Sequence, residues 1–269
     1  MINGFWQKIG VWPTNIKTIW QNKTNWIWFH AVSVGEINAI WPLLLEIHND
    51  YQIYPIMVST TTKRGYEQAK KLIKNKDITL FYFPFDLPNI LTKLLNLARV
   101  KIVIIAETEI WPITLLSCKK KDIPVVLING RLSDKSFKRY SLFKPFVTYI
   151  INLFTTVIAQ SKSDGSKFKS LGLRDEKLKI YGNIKFSSLN TNLATQNQNI
   201  NYNNLVKIIF ASTHKGEDEI AISIYKQLIN EYPNIRLIIA PRHIERVFEI
   251  SELLKKAKRM IFKLKFMTF

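Results

Sequence analysis

The sequence predicts an α/β protein built on a Rossmann-like parallel sheet, followed by a smaller unit with the same rhythm. Three observations lead there. Short runs rich in Ile, Val, Phe and Trp alternate with longer amphipathic stretches. Each run lies too far from the next for a hairpin, so the connections are crossovers and the sheet is covered on both faces. The alternation breaks once, at residues 187–204, SSLNTNLATQNQNINYNN, where almost no charge and few large apolar groups mark a linker or variable loop, and then restarts.

Residues 1–25 form a lead segment in which Phe5, Trp6, Trp12 and Trp20 stand among lysines. It is too polar for a signal peptide or for a span of ~20 apolar residues, so its aromatics either pack into the core or rest on a membrane surface. The first domain is expected over 26–186, with strands at 26–32, 53–59, 79–83, 100–106, 125–128 and 156–160. The stretches that follow them read as helices through 49 and over 65–73, 89–97, 113–121, a region including 143–151, and 164–171. Residues 146–159 come nearest to a membrane span, but Asn152 interrupts them and their length suits a helix end running into a strand. Beyond the linker, strands are expected at 205–211 and 235–240, helices at 216–230 and 243–256, and then a basic, patternless tail at 259–269. Two or three strands do not complete a Rossmann half, so 205–269 is expected to be a partial domain with an open edge and apolar surface.

At 269 residues and 47% hydrophobic content, with 16 Phe, 10 Tyr and 7 Trp, the chain can bury a substantial core. Thirty-nine Lys and Arg against 20 Asp and Glu give a formal charge of +19, which draws nucleic acid, anionic lipid headgroups or phosphorylated small molecules without choosing among them. The single cysteine, Cys118, excludes an internal disulfide, and His30, His48, His214 and His243 have no ligand spacing, so a reducing compartment and no structural zinc are expected.

The chemistry-bearing residues gather at the expected carboxyl ends of strands, where open parallel sheets bind ligands. In 26–40, WIWFHAVSVGEINAI, a small-residue turn delivers Glu36 to the start of a helix. Ser33 can already cap that helix, so Glu36 is either a helix-dipole ornament, which spacing alone favours, or a proton acceptor. Ser59, Thr60, Thr61 and Thr62, followed by Lys63, Arg64 and Gly65, form a cradle suited to a phosphate, or simply a helix cap; GxxxxGK[ST] is absent. Glu107 and Glu109 leave a hydrophobic strand two residues apart and either support acid/base work or neutralise basic surroundings. Lys185, in YGNIKF, precedes the linker, and alone it would be assigned to the surface. Ser212, Thr213 and His214 end one strand of the second unit and Pro241 and Arg242 the other, where a nucleotide phosphate would lie. The absence of DxD disfavours a two-aspartate metal site, and the absence of GxSxG a serine hydrolase.

Together, HAVSVGE, the Thr-rich turn, FPFDLP, ETEIWP, NGRLSDKS, GNIKF, ASTHKGEDE and PRHIERV resemble, in order and spacing, the Kdo transferases, which attach 3-deoxy-D-manno-octulosonic acid to a lipid A precursor. The resemblance covers about residues 26–247. It implies a GT-B-like fold in which the first domain receives the lipid acceptor, lipid IVA, the second holds CMP-Kdo, and no metal or other cofactor takes part. It implies Glu36 as general base, Glu107 and Lys185 as transition-state stabilisers, and Pro241 with Arg242 as a CMP-binding pair. It also implies a peripheral position at the cytoplasmic face of the inner membrane, against an anionic surface, in lipopolysaccharide biosynthesis; nucleic acid is not an expected partner. Family members also carry a hydrophobic anchor before this region and MGE and GGHNxLE segments after it, none of which occurs in this sequence, so weak donor binding and impaired turnover are expected. The rival readings are another GT-B nucleotide-sugar transferase and a non-catalytic basic module binding anionic lipid or nucleic acid.

Overall fold

The structure, a computed structural model, describes residues 2–74, 76–107, 109–185 and 206–256. The expected linker at 187–204 and the basic tail at 259–269 lie outside the described residues. Two compact units are present, Met1–Gln196 and Asn197–Phe269.

In the first unit, two short helices, α1 (Ile2–Lys8) and α2 (Thr14–Asn22), precede β1 (Trp26–His30). The chain then alternates through α3 (Val34–Asp50), β2 (Ile56–Thr60), α4 (Lys63–Ile73), β3 (Ile78–Tyr82), α5 (Pro88–Ala98), β4 (Val100–Ala106), α6 (Pro112–Lys119) and β5 (Val125–Gly130). Two consecutive helices, α7 (Asp134–Leu142) and α8 (Lys144–Ile151), lead to β6 (Thr156–Ala159), α9 (Lys162–Ser170) and β7 (Leu178–Ile180). The seven strands are all parallel, in the order β3-β2-β1-β4-β5-β6-β7.

Alternation along β1 divides the core. Trp26 and Trp28 face a layer containing Trp20, Leu94 and Leu115, while Ile27 and Phe29 face one containing Ile37, Ile40 and Leu44. Burying side chains on both faces is what a parallel sheet requires. The lead segment divides as well: Trp12 and Trp20 are buried in the first layer, whereas Phe5 and Trp6 are exposed.

The second unit pairs β8 (Val206–Thr213) in parallel with β9 (Ile235–Pro241), accompanied by α10 (Glu217–Glu231) and α11 (Val247–Lys256). Ala221, Ile222 and Tyr225 of α10 are buried, as is Ile235 of β9, while Ile209 and Ile238, paired across the two strands, stay exposed.

Candidate functional site

Strand order locates the site before any side chain is considered. Between β1 and β4 the sequence of strands reverses direction across the sheet, and the helices that follow go to opposite faces: α3 joins one core layer and α6 the other. Loops that diverge in this way leave a crevice at the carboxyl ends of the two strands, where ligands of open α/β sheets bind. Glu36 follows β1; Glu107 and Glu109 follow β4.

Glu36 is held by its own helix start. Ser33 caps α3, its Oγ accepting from the Glu36 amide at 3.3 Å and donating to Glu36 Oε1 at 2.8 Å. Glu36 Oε2 accepts from the Val32 amide at 2.7 Å, giving a reciprocal arrangement of the capping-box kind. The carboxylate is only 8% exposed, and burial raises its pKa above the ordinary value. The bonds from Val32 and Ser33 oppose that rise, nearby Glu107 adds to it and Lys185 offsets it; burial prevails. The side chain is thus cap and shifted carboxylate at once.

Glu107 leaves β4 with φ 55°, a left-handed conformation disfavoured for a residue with a Cβ. Its amide donates to Ile128 O at 2.9 Å, and its Oε1 lies 3.2 Å from Lys185 Nζ. Lys185 arrives from beyond β7, so residues 78 positions apart in the chain meet here. Glu109 joins them: burial first, then the charges of Glu36 and Glu107, push its pKa up to about 7. The structure therefore brings Glu36, Glu107 and Lys185 together and adds Glu109. The group can accept a proton at one carboxylate, carry a second proton near neutrality at another, and present an ammonium to a developing negative charge.

The Thr-rich turn differs from a phosphate cradle. Ser59 and Thr60 are fully buried. Ser59 Oγ accepts from Trp28 Nε1 at 2.7 Å and lies 2.9 Å from His30 Nδ1, while Thr60 and Thr62 hydroxyls both donate to Val32 O, at 2.9 and 2.8 Å. Thr62 Oγ1 also accepts from the Gly65 amide as the cap of α4. These hydroxyls brace the loop that presents Glu36. Gly65 permits the close approach, since a Cβ there would lie 2.5 Å from Thr60 Oγ1 and 3.0 Å from Val32 O. Thr61 is half-buried and Thr62 exposed, and the Thr61 carbonyl accepts from Lys8 Nζ at 3.0 Å.

Two supporting residues escaped the motif reading. Asp86, within FPFDLP, supplies the cap that Trp111 cannot: its carboxylate accepts from the Ile113 and Thr114 amides and the Thr114 hydroxyl at 2.9, 2.8 and 2.7 Å. Asp86 stands two residues before α5, so in the sequence it reads as a cap for that helix and nothing ties it to α6. His30, wholly buried with its ring 4.0 Å from that of Phe83, is pushed down to a pKa of about 3 by desolvation and stays neutral. No sequence spacing marked it.

In the second unit, Thr213 and Pro241 are register partners, and the Arg242 amide donates to Thr213 O at 3.0 Å. Ser212, His214 and Arg242 are exposed there. Thr213 is buried, and its hydroxyl donates to Asp218 Oδ1 at 2.6 Å, which removes it from the groups facing solvent. Asp218 is itself paired with Arg246, so an internal ion pair supports this strand end.

The family model described as 3-deoxy-D-manno-octulosonic-acid transferase (kdotransferase) matches residues 3–188. The chain is 36% identical over 237 residues to a 3-deoxy-D-manno-octulosonic acid transferase of Haemophilus influenzae, covering 86% of this chain and 55% of that protein. It is 28% identical to a protein of the same name from Chlamydophila psittaci, covering 85% of this chain and 53% of that one. The chain spans about half the length of the curated relatives it matches. Among solved structures, a UDP-GlcNAc 2-epimerase from Neisseria meningitidis aligns over 86% of this chain and 68% of its own, with a TM-score of 0.57 and 17% identity. At that identity the likeness concerns the fold, which is α/β and GT-B-like.

Proposed function

Since the chain belongs to the 3-deoxy-D-manno-octulosonic-acid transferase family, we propose that it takes part in lipopolysaccharide biosynthesis by moving Kdo from CMP-Kdo to the lipid A precursor lipid IVA. The observation that carries the reading is the meeting of Glu36, Glu107 and Lys185, from three loops distant in sequence, at the reversal point of the sheet. Glu36 takes the proton of the acceptor hydroxyl as its oxygen bonds to the anomeric carbon of Kdo. The bond from that carbon to the CMP phosphate breaks, and its electron pair leaves with CMP. The transition state has oxocarbenium character beside a departing phosphate, so Glu107 steadies the first charge and Lys185 the second. A base raised by burial suits the step better than an ordinary carboxylate. In the second unit, Pro241 and Arg242, with Ser212 and His214, receive the CMP moiety.

The acceptor lies in a bilayer, and a peripheral position at the cytoplasmic face of the inner membrane follows from the same reading. Among the described residues no helix is long and apolar enough to cross a membrane. The first unit carries a surface suited to resting on one: Leu142, Phe143, Phe146 and Tyr149 are exposed on α7 and α8 among exposed Lys135, Lys138, Arg139 and Lys144. Aromatic rings at the interface and cations toward anionic headgroups are the components of such binding.

The decisive experiment supplies the purified chain with CMP-Kdo and lipid IVA. Glu36→Gln is expected to lower the rate by about 10²-fold or more. CMP, and not UDP or ADP, should compete with the donor. Saturation by UDP would point to another nucleotide-sugar transferase, and vesicle binding without any turnover to a non-catalytic lipid-binding module.

A further inference from the structure

We propose that Asn129 is a positioning residue, which sets Lys185 against Glu107 from the end of β5. The inference rests on the transferase reading for its catalytic consequence and on geometry for its structural one. Asn129 has φ 56°, at a point where the register between β5 and β6 shifts, between Leu127 and Gly130. Asparagine tolerates that backbone as glycine does, so the conformation by itself leaves the buried side chain without an explanation.

Its side chain provides one. Asn129 is 3% exposed, and its Oδ1 accepts from the Ile184 amide at 3.2 Å, one residue before Lys185. The neighbouring Ile128 accepts from the Glu107 amide at 2.9 Å. The two members of the 3.2 Å Lys185–Glu107 pair thus hang from adjacent residues of one strand end. Asn129 O accepts from Gln160 Nε2 at 3.1 Å, which ties the same turn to the end of β6. Among the described residues, Asn129 Nδ2 is buried with no hydrogen-bond partner, a cost tolerated where the amide's oxygen is needed in place.

The test compares Asn129→Gly, which keeps the backbone conformation and removes the acceptor, with Asn129→Asp, which keeps an acceptor oxygen at the same reach. Crystal structures are combined with kinetics on CMP-Kdo and lipid IVA. Asn129→Gly is expected to separate Lys185 Nζ from Glu107 Oε1 and to lower kcat about 10²-fold. KM for CMP-Kdo should stay within about threefold, and Asn129→Asp should restore both the pair and the rate. An intact ion pair in the glycine variant overturns the proposal, as does an unchanged kcat. If the wild-type chain transfers no Kdo, the transferase reading fails alone, because the interatomic distance still decides whether Asn129 positions Lys185. Should the glycine variant not fold, Asn129→Ser, too short to reach the Ile184 amide, takes its place under the same expectations.

Discussion

Glu36 serves two physical demands with one side chain, because each carboxylate oxygen completes a helix start while burial raises the pKa of the whole group. Glutamine can keep most of the capping bonds and cannot accept the proton, so Glu36→Gln should lose activity with little change in melting temperature. Aspartate is shorter by a methylene and should lose the Val32 bond, so Glu36→Asp is expected to be both slower and less stable, by about 1 kcal/mol in urea unfolding. Glu109 sets a pH dependence. Its pKa is about 7 in the folded chain and ordinary in the unfolded one, so the folded state holds a proton that the unfolded state has lost between about pH 4.5 and 7. Stability therefore falls as pH rises through that window. Urea midpoints from pH 5 to 8 should decline more steeply for the wild type than for Glu109→Gln, and parallel curves would contradict the assignment. The sequence displayed Glu36, Glu107 and Glu109 plainly, since acids at strand ends stand out against apolar neighbours. It could not display the raised pKa of Glu36 and Glu109, which depends on burial and on charges that only the fold brings beside them.

At the scale of elements, the joint between β4 and α6 is held by a carboxylate from another loop. Asp86→Ala should cost about 1–2 kcal/mol for the lost cap, and more if the buried Thr114 hydroxyl finds no new partner. A fall in melting temperature that Asp86→Asn partly recovers would check this. The long apolar strands were legible because a parallel sheet buries both faces and leaves uninterrupted runs such as IVIIA at 102–106. β7 was not, because three residues reading LKI, with two of them exposed, carry no periodic signal. The lead segment hid α1 and α2 for a related reason, as both are short and their apolar residues divide between core and surface. The Thr-rich turn was ambiguous in the sequence for a different reason. Hydroxyls before a helix suit a phosphate and a helix cap equally well, and only the direction in which Ser59, Thr60 and Thr62 point separates the two.

For the whole molecule, an excess of 19 positive charges accords with anionic partners, and the exposed face of α7 and α8 gives that excess a place to act. Co-sedimentation with vesicles rich in phosphatidylglycerol should be strong at low salt and fade as salt rises, whereas neutral phosphatidylcholine vesicles should leave the chain in the supernatant. Phe143→Ser combined with Phe146→Ser is expected to weaken that sedimentation about tenfold, and an unaltered isotherm would move the docking face elsewhere. One small contact offers a view of the chemistry from outside. The Val32 amide ends on a single oxygen of Glu36, so its proton resonance should be drawn downfield while the carboxylate is charged and retreat upfield once it is neutralised. A nuclear magnetic resonance titration of that one backbone signal would report the charge of the proposed base in solution, without substrate or turnover.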